Sequence, residues 1–160
     1  MNKILLKGLS AVLLALSLVA CNISSQPAPT QSLTTITGQT IAMTQVQHYT
    51  LVNFWATSCA TCVEEMPELI ALHHAYQHKG FRLIAIAMSY DRPDYVLNFS
   101  RQHALPFPVV LDTTEKHAQS FGGIVGTPTS FLINPEGKII KRYIGKPDFA
   151  ELKALLQSKG

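Results

Sequence analysis

Two cysteines separated by two residues, Cys59-Ala60-Thr61-Cys62, are the feature of this 160-residue chain best suited to chemistry. Thiols at that spacing close a small disulfide with modest backbone adjustment, and they also supply half of a tetrahedral zinc site. The zinc set would be Cys59, Cys62, His74 and His78, close to finger spacing. If residues 59–79 form one helix, however, His74 lies 12 residues beyond Cys62, about 18 Å along the axis at 1.5 Å per residue. Such a helix cannot wrap one ion, so His73, His74 and His78 read as solvated helix-surface residues and no metal is expected. His48, His103 and His117 are scattered and form no second cluster.

The elements that must position the cysteines follow from the apolar pattern. Tyr49–Ala56 is a nearly continuous apolar run of strand length, as in a strand buried on both faces. Residues 59–79 read as a helix with Val63, Met66, Leu69, Ile70 and Ala75 at helical spacing, Pro67 as a kink and Gly80 as its stop. Cys59 then sits at a helix N-terminus, where unpaired N–H groups and the macrodipole favour a thiolate, and Cys62 lies one turn inside. Cys59 should be the exposed, more acidic thiol and Cys62 its buried partner. Further on come a strand at Phe81–Met88, a helix at Asp91–His103 starting near Asp91 or Asp94, a strand at Val109–Leu111 and a helix at Thr114–Phe121. The chain closes with a hairpin, Thr129–Asn134 and Lys138–Ile144 through Pro135-Glu136-Gly137, and a helix from Asp148 to Ser158 opened by the pair Asp148 and Glu151. Ahead of all these, Leu33–Met43 suits a short hairpin broken at Gly38-Gln39. This is an α/β body, a central mixed sheet flanked by helices.

The third cysteine stands apart, at the end of an export signal. Met1–Lys7 is short and basic, and Leu9–Ala20 is apolar but too short for the roughly 20 residues of a membrane-spanning helix. Leu18-Val19-Ala20-Cys21 resembles a bacterial lipobox, which implies cleavage after residue 20 and acylation of Cys21. Asn22 in the next position points to the outer membrane rather than the inner one. Residues 21–32 are polar and rich in Pro and Ser, the composition of a flexible tether. The domain would then be 33–160, in the cell envelope, facing the periplasm.

Composition narrows the partners. The chain is 47% hydrophobic and only 14% charged, against about a quarter charged in an average soluble domain, which excludes a disordered chain. Its net charge of +3 falls to +1 once Lys3 and Lys7 leave with the signal. There is no basic run, so nucleic acid is not expected as a partner.

Three segments stand out in order: Val52-Asn53-Phe54-Trp55-Ala56-Thr57-Ser58-Cys59-Ala60-Thr61-Cys62-Val63-Glu64-Glu65-Met66-Pro67, then Leu105-Pro106-Phe107-Pro108-Val109, then Gly126-Thr127-Pro128-Thr129-Ser130-Phe131-Leu132-Ile133. Together they resemble the thioredoxin superfamily, and within it the membrane-anchored TlpA/ResA-like thiol-disulfide oxidoreductases. The resemblance implies a thioredoxin-like fold with Cys59 as nucleophile, Cys62 as resolving thiol and Glu65 as an acidic residue that tunes them. It also implies a cis-proline at Pro128 facing the cysteines, with Trp55, Thr127 and Pro128 as the substrate-binding residues. Asn53 replaces the buried aspartate of cytosolic thioredoxin, leaving Glu65 or water as proton acceptor. The dipeptide Ala60-Thr61 and Ser58 depart from the family pattern, which bears on redox potential and hence on the direction of electron flow.

The expected activity is reduction of disulfides in client proteins by a monomer. The chain has no Gly-x-Gly-x-x-Gly turn for a flavin or nicotinamide, so no cofactor beyond the Cys59–Cys62 pair is expected. Electrons would come from a membrane thiol transporter. Two alternatives fit less well. A thiol peroxidase would carry Pro at 52 and Thr at 56 where this chain has Val52 and Ala56, and a Sco-type copper carrier would place three residues between its cysteines rather than two.

Overall fold

Tyr49–Trp55 (β4) is buried at every position except half-buried Tyr49, and the rest of the fold is arranged on its two faces. The structure, a computed structural model, describes residues 26–43 and 47–158. In chain order the other elements are Gln26–Pro27 (β1), Ser32–Thr34 (β2), Thr40–Ala42 (β3), Ala60–Tyr76 (α1), Phe81–Ala87 (β5), Pro93–Gln102 (α2), Val109–Leu111 (β6), Lys116–Ser120 (α3), Thr129–Ile133 (β7), Lys138–Ile144 (β8) and Phe149–Gln157 (α4). The main sheet has the order β1-β8-β7-β4-β5-β6, with β4 parallel to β5 and antiparallel to β7. The mixed sheet and the β2–β3 hairpin expected from sequence are both present.

Strand alternation divides the core into two layers. Leu51, Trp55, Leu83, Ala85 and Leu132 face one side, under Met66, Leu69 and Leu72 of α1 and Phe149 and Leu152 of α4. Val52, Phe54, Ile84, Ile86 and Phe131 face the other, under Leu33 of the hairpin, Ala118 of α3 and Phe121. Phe54 is fully buried there, with edge-on contacts to Phe121 at 5.3 Å and Phe131 at 6.0 Å between ring centroids. Two glycines make the turns possible. Gly80 (φ 72°) ends the α1 segment, and Gly137 (φ 73°) closes the β7–β8 hairpin, both in the left-handed region where a Cβ is strained.

Three local expectations change. The buried stripe of α1 is Cys62, Glu65, Met66, Leu69, Leu72, His73 and Tyr76, so His73 is not solvated: its ring packs edge-on against Phe107 at 5.8 Å, and burial lowers its pKa. His74 and His78 are exposed as expected. At α2 the helix starts between the two acidic residues expected near it, with Arg92 as N-cap, Pro93 opening the first turn and Asp94 within it. At α4, Asp148 accepts from the N–H groups of Ala150 and Glu151, but Glu151 pairs with Lys141 at 2.6 Å instead of completing a reciprocal box.

The third change concerns the tether. Residues 26–32 belong to the folded body: Gln26 and Pro27 pair with Ile139 and Lys138 of β8, Ala28 is buried, and Gln31 donates to the Ser120 hydroxyl. Composition missed this because two ladder positions and one buried alanine leave no periodic signature. The expected signal, residues 1–20, and the rest of the tether, including Cys21, lie outside the described residues.

Truncating Phe54 to Ala should cost about 3–5 kcal/mol, the usual range for emptying a buried aromatic site, measured as a drop in the urea midpoint with unchanged slope.

Candidate active site at the start of helix α1

Cys59 and Cys62 form a disulfide, with Cα atoms 5.2 Å apart. Cys59 is the N-cap of α1 in extended conformation, and its carbonyl already accepts from Val63 N–H at 3.1 Å. The Cys62 backbone N–H donates to Cys59 Sγ at 3.2 Å. One orphan donor of the helix start is thus spent on sulfur, the arrangement that favours a thiolate when the bond is reduced. The first turn of α1 carries no acidic residue to oppose that charge. Cys59 is half-buried and Cys62 fully buried, so Cys59 is the more accessible of the two sulfurs.

The opposite wall is the segment before β7. Pro128 is buried, its bond to Thr127 is cis, and the Thr127 carbonyl oxygen lies 3.4 Å from Cys59 Sγ. Thr127 is half-buried and borders the exposed residues Val125 and Gly126. Of Thr127 and Pro128, Thr127 is the residue whose backbone borders both the sulfur and solvent, while Pro128 is buried behind it. Trp55 is also fully buried, its ring 5.1 Å from that of Phe99. It supports the site from beneath, and the expectation that it touches substrate is corrected on burial alone. Phe99 is also stacked on His103 at 4.1 Å between ring centroids and lines a groove with Thr57, Ser58, Tyr95, Asn98 and Gln102.

Glu65 lies on the buried face of α1, one turn after Cys62, with no exposed surface. Asn53 of β4 donates through Nδ2 to Glu65 Oε1 at 2.8 Å and to the Ser130 hydroxyl at 3.0 Å. Asn53 and Ser130 are register partners on neighbouring strands, so the sheet itself presents this polar pair to the helix. Among the described residues, Glu65 Oε2 has no partner. Burial pushes the carboxyl up to about 7, opposed by the Asn53 hydrogen bond and the attraction of Lys146, with Glu68 adding a smaller upward push. Lys146 is itself paired with Glu68 at 2.6 Å. Sequence reasoning located Glu65 but not its hydrogen bond from Asn53 or the link from Asn53 on to Ser130, since residue 130 is remote in the chain and only strand pairing brings it to Asn53.

With a folded pKa of about 7 against 4.5 for the ordinary group, Glu65 takes up a proton on folding between those values. Its contribution to stability is full below pH 4.5, shrinks as pH rises and is gone above about pH 7. Urea denaturation of the oxidised protein and of Glu65→Gln from about pH 4 to about pH 8 should show the native protein losing stability relative to the variant across that window. A pH-independent difference would return Glu65 to the ordinary carboxyl range.

Residues 25–142 match the AhpC/TSA family. The thiol-disulfide oxidoreductase ResA of Bacillus thuringiensis is 37% identical over 107 residues, covering 66% of this chain and 60% of that protein. The matched region thus spans about three fifths of the ResA relatives' length. Among solved structures, a Neisseria meningitidis chain assigned as a thioredoxin is 37% identical with a TM-score of 0.77, covering 84% of this chain and 89% of that one. A thioredoxin-family thiol:disulfide interchange protein of Chlorobium tepidum is 26% identical with a TM-score of 0.76, covering 84% and 95%. By these matches and by its fold, the chain belongs to the AhpC/TSA family of the thioredoxin superfamily.

Proposed function

We propose that this chain is an exported, lipid-anchored thiol-disulfide oxidoreductase that reduces disulfides in client proteins. The observation that carries the reading is the Cys59–Cys62 pair at the start of α1, with one sulfur accessible, the other buried, and a backbone N–H directed at the accessible one. The ResA relatives and the interchange protein of Chlorobium tepidum, by their names, carry out the same class of chemistry.

In the reduced protein the Cys59 thiolate attacks one sulfur of a client disulfide, and the other client sulfur leaves as a thiolate. Cys62 then gives up its proton and attacks Cys59 Sγ, expelling the client's second sulfur and closing the Cys59–Cys62 bond. Two electrons pass from the enzyme dithiol to the client disulfide. Glu65, with a pKa of about 7, is suited to accept the Cys62 proton near neutral pH. The chain's own cysteines are the redox group, with no further cofactor, and a membrane thiol transporter returns them to the dithiol. The Thr127 backbone beside Cys59 offers strand-like pairing to an extended client segment. The peroxidase alternative lacks its Pro and Thr at positions 52 and 56.

Anchoring through Cys21 would hold the domain in the cell envelope, facing the periplasm, at the outer membrane by the Asn22 criterion. Because the folded body already includes Gln26, only Asn22–Ser25 would separate it from the lipid, a reach of about 14 Å. The client surface would then work close to the bilayer.

Cys59→Ser should abolish reduction of a protein disulfide, and Cys62→Ser should accumulate mixed disulfides visible on non-reducing gels; full activity of Cys59→Ser would sink the mechanism. A reductase should also show a potential well below about −200 mV, and an oxidant one near −120 mV. Cys21→Ala should move the protein from the membrane to the soluble envelope fraction, and continued membrane retention would argue against the lipid anchor.

A further inference from the structure

Between β5 and α2, three consecutive side chains each reach a different loop, two of them beside the disulfide. Ser89 Oγ donates to Glu115 Oε1 at 2.8 Å, on the connection leading into α3. The Tyr90 hydroxyl meets Thr127 Oγ1 at 3.2 Å, on the proline wall. Asp91 takes two hydrogen bonds from a single residue, Thr57: Oδ2 accepts from its backbone N–H at 2.5 Å and Oδ1 from its hydroxyl at 2.6 Å. Thr57 lies two residues before Cys59, in the short turn between β4 and α1.

The platform for these contacts is itself fixed by backbone hydrogen bonds. The parallel register sets Trp55 beside Ala87, Met88 N–H donates to Trp55 O at 3.0 Å, and Asp91 N–H donates to Met88 O at 3.0 Å. Asp91 is 8% exposed and, among the described residues, forms no salt bridge. A carboxylate withdrawn from water without a cation is costly unless its oxygens are well bonded. It does not cap α2, whose N-cap is Arg92. Both of its hydrogen bonds go to Thr57.

We propose that Asp91 is a positioning residue for Cys59: by pinning Thr57 it holds the turn into α1, so that the Cys59 sulfur stays aligned with the Cys62 N–H. Tyr90 ties the same loop to Thr127, which sets the distance between the cysteine wall and the proline wall. The inference rests on Cys59 being the attacking thiolate, and it adds residues outside the cysteine, proline and Glu65 positions. Loss of the Asp91 link lets the turn relax, weakens the N–H···S contact and raises the Cys59 thiol pKa.

The test is the pH profile of Cys59 alkylation by iodoacetamide in the reduced full-length protein, followed at that residue by mass spectrometry. Asp91→Ala should raise the titration midpoint, lowering the rate near neutral pH by about tenfold for each pKa unit. Thr57→Val, which removes only the hydroxyl link, should move the midpoint less in the same direction, and Thr57→Ser should restore it. Asp91→Asn, which keeps an acceptor for the Thr57 N–H, should fall between Asp91→Ala and the native protein. An unchanged midpoint in Asp91→Ala with only a lower melting temperature would overturn the proposal, as would a lower midpoint, which would mean that the carboxylate acts by charge rather than position. If Asp91→Ala does not fold, Thr57→Val decides by the same criterion. A native midpoint near the ordinary thiol value of about 8.5 would instead sink the thiolate reading itself, and this inference with it.

Discussion

A single backbone donor, the Cys62 N–H directed at Cys59 Sγ, is the contact on which the rest of this site depends. Its direction is set by α1, because the first N–H groups of a helix have no partner within it and point out along the axis. The helix in turn is held against β4 by Met66, Leu69 and Leu72 packing on Leu51, Trp55 and Leu83. The apolar layer therefore serves the chemistry by fixing where that donor points. Trp55 contributes in the same way, as packing beneath the site and not as a surface that meets a partner.

Against this apolar background Glu65 is an energetic exception. It occupies a position on the buried stripe of α1 that packing alone would give to an aliphatic residue. Its burial is partly offset by Asn53, which the strand register sets beside Ser130. One donor on one oxygen is too little to keep the carboxyl ionised at its usual pH, so the same burial that costs stability brings its pKa to about 7. Under the proposed function, a carboxyl poised there would suit proton exchange with a thiol near neutral pH. Asp91 is used differently: both of its oxygens are engaged by Thr57, and it acts through the position it imposes on the turn into α1.

Much of this was legible in the chain itself. The apolar run of β4, the Cys-x-x-Cys spacing at its exit and the glycine closing α1 specify a strand-to-helix turn bearing two thiols, because strand length, helical spacing and turn chemistry are all local. The last hairpin was equally plain from Pro135-Glu136-Gly137, where Gly137 takes the left-handed conformation. Less visible were weak or unpatterned signals. The two-residue strand Gln26–Pro27 lies in a polar, proline-containing stretch, and His73 reads as polar although its ring fills a gap against Phe107.

By itself the amino-acid sequence determined the α/β order of elements, the two thiols and their placement at a helix start, with Cys59 outward and Cys62 inward. These follow from periodicities of two and 3.6 and from the handling of unpaired N–H groups, all properties of neighbours in the chain. Only the tertiary structure decided which distant side chains close around the sulfurs. Ser130 on Asn53, the Thr127 carbonyl beside Cys59, Tyr90 on Thr127 and Asp91 on Thr57 come together through the register of β4 with β5 and β7. That register is a cooperative result of packing two core layers on one mixed sheet, and no short stretch of sequence encodes it.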